Sequence, residues 1–208
     1  MHEFIPRLAW FGTINSLAQV LLKLTAPGVP DIYQGQESFN FSLVDPDNRR
    51  PVDFAAAEKR LEELRHRQAS PELCRELLES WTDGRIKLWT TQRALLTRCQ
   101  SGELFRQGEY LPLEAAGERA AHVVAFARQF EQQVAIAAVP RLSFTMLNGE
   151  PRLARAEEWG ATRLDLPPEL EQGKFYNVLT GESVALREEG GLLCRELFAN
   201  FPVALLLR

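Results

Sequence analysis

Apolar residues recur at Ile14, Leu17, Ala18, Leu21 and Leu22, with Asn15, Ser16, Gln19 and Lys23 on the other side. This three-and-four spacing predicts an amphipathic helix, which Pro27-Gly28 ends. Val29 to Gln34 then reads as a short strand, with Pro30 acceptable at its start. Gly35 releases the chain into a long polar loop, Gln36 to Pro51. Asp53 is a suitable N-cap for a helix from Phe54 to about Gln68, whose Ala, Glu, Lys, Arg and Leu content favours that state. Ser70-Pro71 has the cap-then-proline order of a new helix start, and Leu73, Leu77 and Leu78 give that helix one apolar side. Asp83-Gly84 reads as a turn. Arg85 to about Gln100 reads as a further helix with a stripe of Leu88, Leu95, Leu96 and Cys99, stopped by Gly102.

Past Gly102 the period changes from helical to alternating. Short runs rich in Val, Ile, Phe and Tyr, punctuated by Gly and Pro, predict strands at 110–113, 122–128, 134–139, 162–166, 175–179, 183–187, 192–197 and 203–207. Thr180-Gly181-Glu182 and Glu189-Gly190-Gly191 read as hairpin turns. Even spacing of so many short strands predicts an antiparallel sandwich or small barrel of about 100 residues. The expected boundary divides the chain into 1–102 and 103–208.

Composition narrows the function classes. The 208 residues are 45% hydrophobic and 25% charged, as in ordinary globular proteins. With 24 basic against 28 acidic side chains the net charge is −4, so nothing suggests a nucleic-acid binder. No apolar run approaches the ~18–20 residues of a membrane span. Met1-His2-Glu3 has no secretory pattern, and no membrane partner is expected. Three widely spaced cysteines, Cys74, Cys99 and Cys194, form no CxxC pair, which fits reduced thiols in a cytoplasmic protein. No metal and no cofactor is expected. His2, His66 and His122 neighbour no nucleophile in a recognisable motif, and neither GxGxxG nor GxxxxGK[ST] occurs.

Two segments carry candidate chemistry. Helix, Pro-Gly turn, short strand and glycine exit over Ala26–Glu37 are what one unit of a (β/α)8 barrel supplies. Loops at strand C-terminal ends build the sites of such barrels. Tyr33, Gln34 and Glu37 would then point toward a pocket. The same spacing also fits an ordinary strand with Tyr33 packed and Glu37 solvated. The loop from Phe39 to Asp53 mixes aromatics, Asp45, Asp47, Asn48 and the adjacent Arg49 and Arg50. Aromatic faces stack on pyranose rings, while carboxylates, amides and guanidinium forks hydrogen-bond hydroxyls. A turn held by its own Asp–Arg pairs is the other reading. Asp45 and Asp47 are poorly placed as a catalytic pair. Retaining glycosidases set two carboxyls about 5–5.5 Å apart across the sugar, not two residues apart on one turn.

Three stretches resemble the maltooligosyl trehalose synthase family of the alpha-amylase clan: Asn15-Ser16-Leu17-Ala18-Gln19, Leu24 through Gly35, and Ser42 through Asp53. Asp83-Gly84-Arg85-Ile86-Lys87, Asn177-Val178-Leu179-Thr180-Gly181 and the closing Phe201 to Leu206 are also similar to it. The resemblance spans nearly the whole chain. The Ser42–Asp53 stretch is quite specific; Gly28–Gly35 alone indicates only the clan's eighth barrel strand. One departure is local. The family commonly reads Gln-Gly-Thr-Glu-Leu-Trp-Asp where this chain has Gln34-Gly35-Gln36-Glu37-Ser38-Phe39-Asn40.

The resemblance implies an α+β fold. It would comprise the helical remnant of the end of a (β/α)8 barrel, followed by an antiparallel β-sandwich domain. It implies a parent enzyme that converts the reducing-end α-1,4 bond of a maltooligosaccharide to an α,α-1,1 bond. The clan's three catalytic carboxylates come from the fourth, fifth and seventh strands. This chain begins just before the eighth, so no catalytic residue is carried over. A complete barrel needs about 250 residues, so the chain alone is expected to be inactive. Its maltooligosaccharide-facing residues are expected to be Tyr33, Gln34, Glu37, Asp45, Asp47, Asn48, Arg49 and Arg50. The alternative is a non-catalytic carbohydrate-binding or packing module. A barrel face left open near residues 8–35 is expected to drive self-association.

Overall fold

The computed structural model describes residues 4–40, 49, 51–186 and 191–208. Helix α1 spans Phe4–Thr25, with Pro6 in a first turn that has no intrahelical amide bond to lose. Leu17, Leu21 and Leu24 are fully buried along it. The chain bends at 26–28 and runs extended through 29–33 without a strand partner among the described residues. The strand expected at Val29–Gln34 is therefore corrected. An extended segment becomes a strand only by pairing its main chain with a neighbour, and here Ile32 alone packs against the helical core while Val29 is 97% exposed.

Three helices follow, and local caps set where each begins. Helix α2, Phe54–Arg65, starts where Asp53 Oδ1 accepts from the Ala56 amide at 3.0 Å. Helix α3, Pro71–Glu79, starts where Ser70 Oγ accepts from the Leu73 amide at 3.2 Å. A single 3-10 turn, Trp81–Asp83, leads to Gly84 and α4, Arg85–Gln100. The expected stop at Gly102 does not hold. The helical trace breaks at Ser101, and Gly102 opens a short helix α5, Gly102–Gln107.

The remaining chain builds two antiparallel sheets. Strands β1 (Glu109–Leu113), β3 (Val123–Phe130), β4 (Gln133–Pro140), β6 (Lys174–Asn177), β7 (Ser183–Ala185) and β9 (Ala204–Leu207) form one, in the order β1-β3-β4-β9-β6-β7. Strands β2 (Ala115–Ala116), β5 (Arg163–Leu164) and β8 (Leu192–Leu193) form the other, in the order β2-β5-β8. Short helices α6 (Ser143–Met146), α7 (Ala156–Trp159) and α8 (Cys194–Leu197) fill the connections. The hairpin through Thr180-Gly181 forms, joining β6 to β7. The one expected at 189–191 does not, because β7 and β8 lie in different sheets; Glu189 and Gly190 fall outside the described residues. The strand expected over 192–197 is also shorter. Cys194 donates its amide to the Thr162 carbonyl at 3.0 Å and begins α8.

The central strands are buried on both sides, and their alternation sorts the core. Val134, Ile136, Ala138, Ala204 and Leu206 face a cluster shared with Leu164 and Leu192 of the small sheet. Val139 and Leu205 face the opposite way, into a cluster with Leu17, Leu21, Leu24, Leu73, Leu77 and Trp89. Helices and large sheet thus share one apolar layer. Polar contacts cross it as well. The Leu179 carbonyl accepts from Trp89 Nε1 at 3.1 Å and from Cys74 Sγ at 3.5 Å. Removing Leu17 or Leu21 to alanine would cost about 2–5 kcal/mol.

Candidate functional site

The candidate site is the stretch that leaves α1 and arrives at α2. Its first fixed point is the end of α1. Arg98 Nη1 donates to the Leu24 carbonyl at 3.0 Å and its Nη2 to Gly28. The second is a turn in which the Gln36 amide donates to the Tyr33 carbonyl at 3.1 Å. Gly35 takes φ +84° there, and a Cβ on it would sit 3.0 Å from Val52 Cγ2. An L side chain meets both backbone strain and a clash at that position. The third is the exit from the turn. Lys87 Nζ donates to the Ser38 carbonyl at 3.0 Å and lies 5.8 Å from the Phe39 ring centroid.

This geometry distributes the expected residues unevenly. Tyr33 is 46% exposed and Gln34 is exposed, both on the turn, while Glu37 is half-buried. Arg49 is exposed. Asp45, Asp47, Asn48 and Arg50 lie outside the described residues. A cleft of about 170 Å³ opens beside the turn, lined by Ser16, Gln19, Val20 and Lys23 of α1, by Ile32 and Gln36, and by Lys87 and Thr91 of α4. Of the expected residues that are described, Tyr33, Gln34, Glu37 and Arg49, none lines it. Gln36 and Gln19 stood within the motifs read from the sequence. The part taken by Lys87 depends on a partner 49 residues away, which no local spacing reveals.

Burial holds the Lys87 ammonium below the usual lysine range, Lys23 adds to this, and Glu37 opposes it. Glu72, Glu76 and Glu158 are all held below the usual carboxylate range. Glu72 is lowered by its own helix-start amide and Ser70, Glu76 by Arg67 and Arg85, and Glu158 by Arg152. A glycosidic general acid needs the opposite shift. Among the described residues no group of three or more His, Cys, Asp or Glu side chains is placed to hold a metal ion, and no helix is long and apolar enough to cross a membrane.

No protein-family model matches the chain. A crystal structure of an Anoxybacillus alpha-amylase matches 93% of it at 19% identity with a TM-score of 0.53, over 32% of that enzyme. The arrangement of helices and antiparallel sheets is thus found within an alpha-amylase. Much nearer in sequence is a Mycobacterium tuberculosis protein named as a maltooligosyl trehalose synthase, 37% identical over 93% of this chain. The solved maltooligosyltrehalose synthase of Arthrobacter ramosus is 36% identical over 99% of the chain with a TM-score of 0.77. A further maltooligosyl trehalose synthase structure covers the whole chain at 30% identity and a TM-score of 0.69. The chain therefore matches the C-terminal portion of maltooligosyl trehalose synthases. It spans about a fifth of their length, 20% of the mycobacterial protein and 23% of the Arthrobacter enzyme.

Proposed function

We propose that this chain serves a maltooligosyl trehalose synthase as its substrate-facing C-terminal part. Residues 1–102 would be the last α/β unit and closing helices of a (β/α)8 barrel, and 103–208 the antiparallel β-domain beside it. The observation that carries this reading is 36% identity sustained over 99% of the chain to a solved enzyme of that name. The unpaired extended segment at 29–33, with its glycine exit at the Gly35 turn, supports it: a last barrel strand would pair with strands outside this sequence. The reaction is the conversion of the reducing-end α-1,4 bond of a maltooligosaccharide to an α,α-1,1 bond. In it, water must be excluded while the released glucose unit turns over.

In this reading the loop from Glu37 to Asp53 lines the reducing-end pocket. Asp45, Asp47, Asn48, Arg49 and Arg50 hold sugar hydroxyls, with Tyr33 and Gln34 at its edge. The guanidinium fork of Arg49 suits two neighbouring hydroxyls, and a fixed fork loses little freedom on binding. The location is the cytoplasm, consistent with the free thiols of Cys74, Cys99 and Cys194.

The test is kinetic. In a full-length parent enzyme, in which the rest of the barrel precedes this chain, Arg49→Ala and Asp45→Ala should each impair formation of the trehalose end from maltopentaose. Unchanged kinetics in both variants would remove the loop from the site. The 208-residue chain alone should give no turnover of maltopentaose, and measurable trehalosyl product from it would overturn the assignment of catalysis to the rest of the parent.

A further inference from the structure

Two residues of the Asp83-Gly84-Arg85-Ile86-Lys87 stretch, none of them among the expected sugar-facing residues, meet the start of the loop. Gly84 has φ +82°, and a Cβ on it would stand 3.1 Å from Ser38 Cβ. The loop therefore approaches the backbone of this turn as closely as a glycine permits. Three residues on, Lys87 Nζ donates to the Ser38 carbonyl at 3.0 Å and places its charge over Phe39. The turn itself is rigidly held. Arg85 Nε donates to Asp83 Oδ2 at 2.8 Å, its Nη1 to Glu76 Oε1 at 2.9 Å and its Nη2 to Ser80 Oγ at 3.0 Å. Glu76 also binds Arg67 at the end of α2, at 2.7 Å. A fixed base, a glycine contact and a half-buried ammonium thus converge on Ser38 and Phe39.

We propose that Lys87 is a positioning residue, the clamp by which the start of α4 fixes the Ser38-Phe39 exit of the turn. The proposal rests on the reading of that loop as sugar-facing. In this role Lys87 acts through the loop. Its ammonium, with three donors on a flexible stem, can hold one carbonyl while lying over an aromatic face. Arginine keeps the charge and the donors; methionine keeps only the stem.

Chymotryptic cleavage after Phe39 reads local opening of this exit, whereas cleavage after the buried Phe105 reads global unfolding. In the 208-residue chain, Lys87→Met should speed cleavage after Phe39 about tenfold, the equivalent of one lost hydrogen bond to a charged donor. Lys87→Arg should restore the slow rate, and cleavage after Phe105 should be unchanged in both. A wild-type rate at Phe39 in Lys87→Met overturns the clamp. So does acceleration at Phe105 in step with Phe39, or Lys87→Arg behaving like Lys87→Met. In the full-length parent enzyme, Lys87→Met should raise KM for maltopentaose more than it lowers kcat, with Lys87→Arg restoring KM. Wild-type turnover in both Arg49→Ala and Asp45→Ala would instead overturn the sugar-facing reading, while the Phe39 cleavage result stands or falls separately.

Discussion

Arg128, in the middle of β3, donates from Nη1 to the carbonyl of Thr25, the last residue of α1, at 3.3 Å. Its Nη2 donates to the carbonyls of Phe105 at 3.1 Å and Gly108 at 2.7 Å, at the end of α5. One guanidinium, 2% exposed, thus serves the carboxyl ends of two helices, where carbonyls lack intrahelical donors and the dipole favours positive charge. Burial and the nearby Arg98 both act against the charge, so the three carbonyls must hold it. Arg128→Met should destabilise the chain by about 3 kcal/mol, because three acceptors, two of them buried, lose their donor at once. Arg128→Lys should recover only part of this, since an ammonium lacks the planar fork. Urea unfolding of the two variants would check both values, and a loss below about 1 kcal/mol for Arg128→Met would contradict the account.

The Gly35 turn makes a second, more local demand. At φ +84° with Val52 Cγ2 3.0 Å from the place of a Cβ, Gly35→Ala incurs left-handed strain and a steric contact together. The expected loss is about 1–3 kcal/mol. Val52→Ala should relieve the contact and leave the strain. The double variant should therefore fall short of the sum of the two single losses, a difference that a double-mutant cycle by thermal unfolding resolves.

These contacts show which parts of the fold were legible in the sequence. The starts of α2, α3 and α4 could be read because Asp53, Ser70-Pro71 and Asp83-Gly84 act within three residues of themselves. The central strands β3 and β4 could be read because Val, Ile and Phe runs are buried whatever their partners. Segment 29–33 reads as a strand in the sequence but has no strand partner among the described residues, since pairing is a property of the neighbour as much as of the segment. Leu192–Leu197 was misread because the Thr162 carbonyl turns the chain at Cys194. At the candidate site, the sequence named side chains that suit sugar hydroxyls. It did not reveal Lys87, whose partner lies on a distant loop.

Acid should weaken the β-half through one ion pair. Glu158 accepts from Arg152 at 2.7 and 2.5 Å and from the Arg155 amide at 2.7 Å. The Arg152 contact, chiefly, holds its pKa at about 2, well below the usual 4.5 of a glutamate. A carboxyl lowered on folding contributes stability that is complete above its unfolded pKa and is lost as pH falls through the folded one. The loss should therefore run from about pH 4.5 down to about pH 2. Glu158→Gln should reduce stability at pH 7 by about 1–2 kcal/mol and flatten the dependence across that window. Equal slopes for variant and wild type in urea titrations at a series of pH values would refute the assignment.

The three thiols should separate by burial. Cys99 is exposed, whereas burial pushes Cys74 and Cys194 up to about 12. Only the thiolate reacts at a useful rate. Brief iodoacetamide treatment of the folded chain should label Cys99 alone, as read by peptide mass spectrometry. Cys74 and Cys194 should become labelled only in denaturant. Labelling of Cys74 in the folded chain would mean that its packing under the Leu179 carbonyl opens readily.

The start of α1 carries a different consequence. Phe4, Ile5 and Leu8 are each about 60% exposed on one end of the helix, and Val29 is almost wholly exposed beyond its other end. Exposed apolar surface of this kind is normally covered by another protein surface. If the remainder of a barrel covers it in a parent enzyme, the 208-residue chain should cover it with a second copy. Light scattering during size exclusion should then show a molar mass that rises with loading concentration. Ile5→Glu with Leu8→Glu should hold the chain monomeric without lowering its thermal midpoint, because neither side chain belongs to the buried core. A monomer at every concentration in the unmodified chain would show that this surface is tolerated open, and the same association in the double variant would move the contact elsewhere.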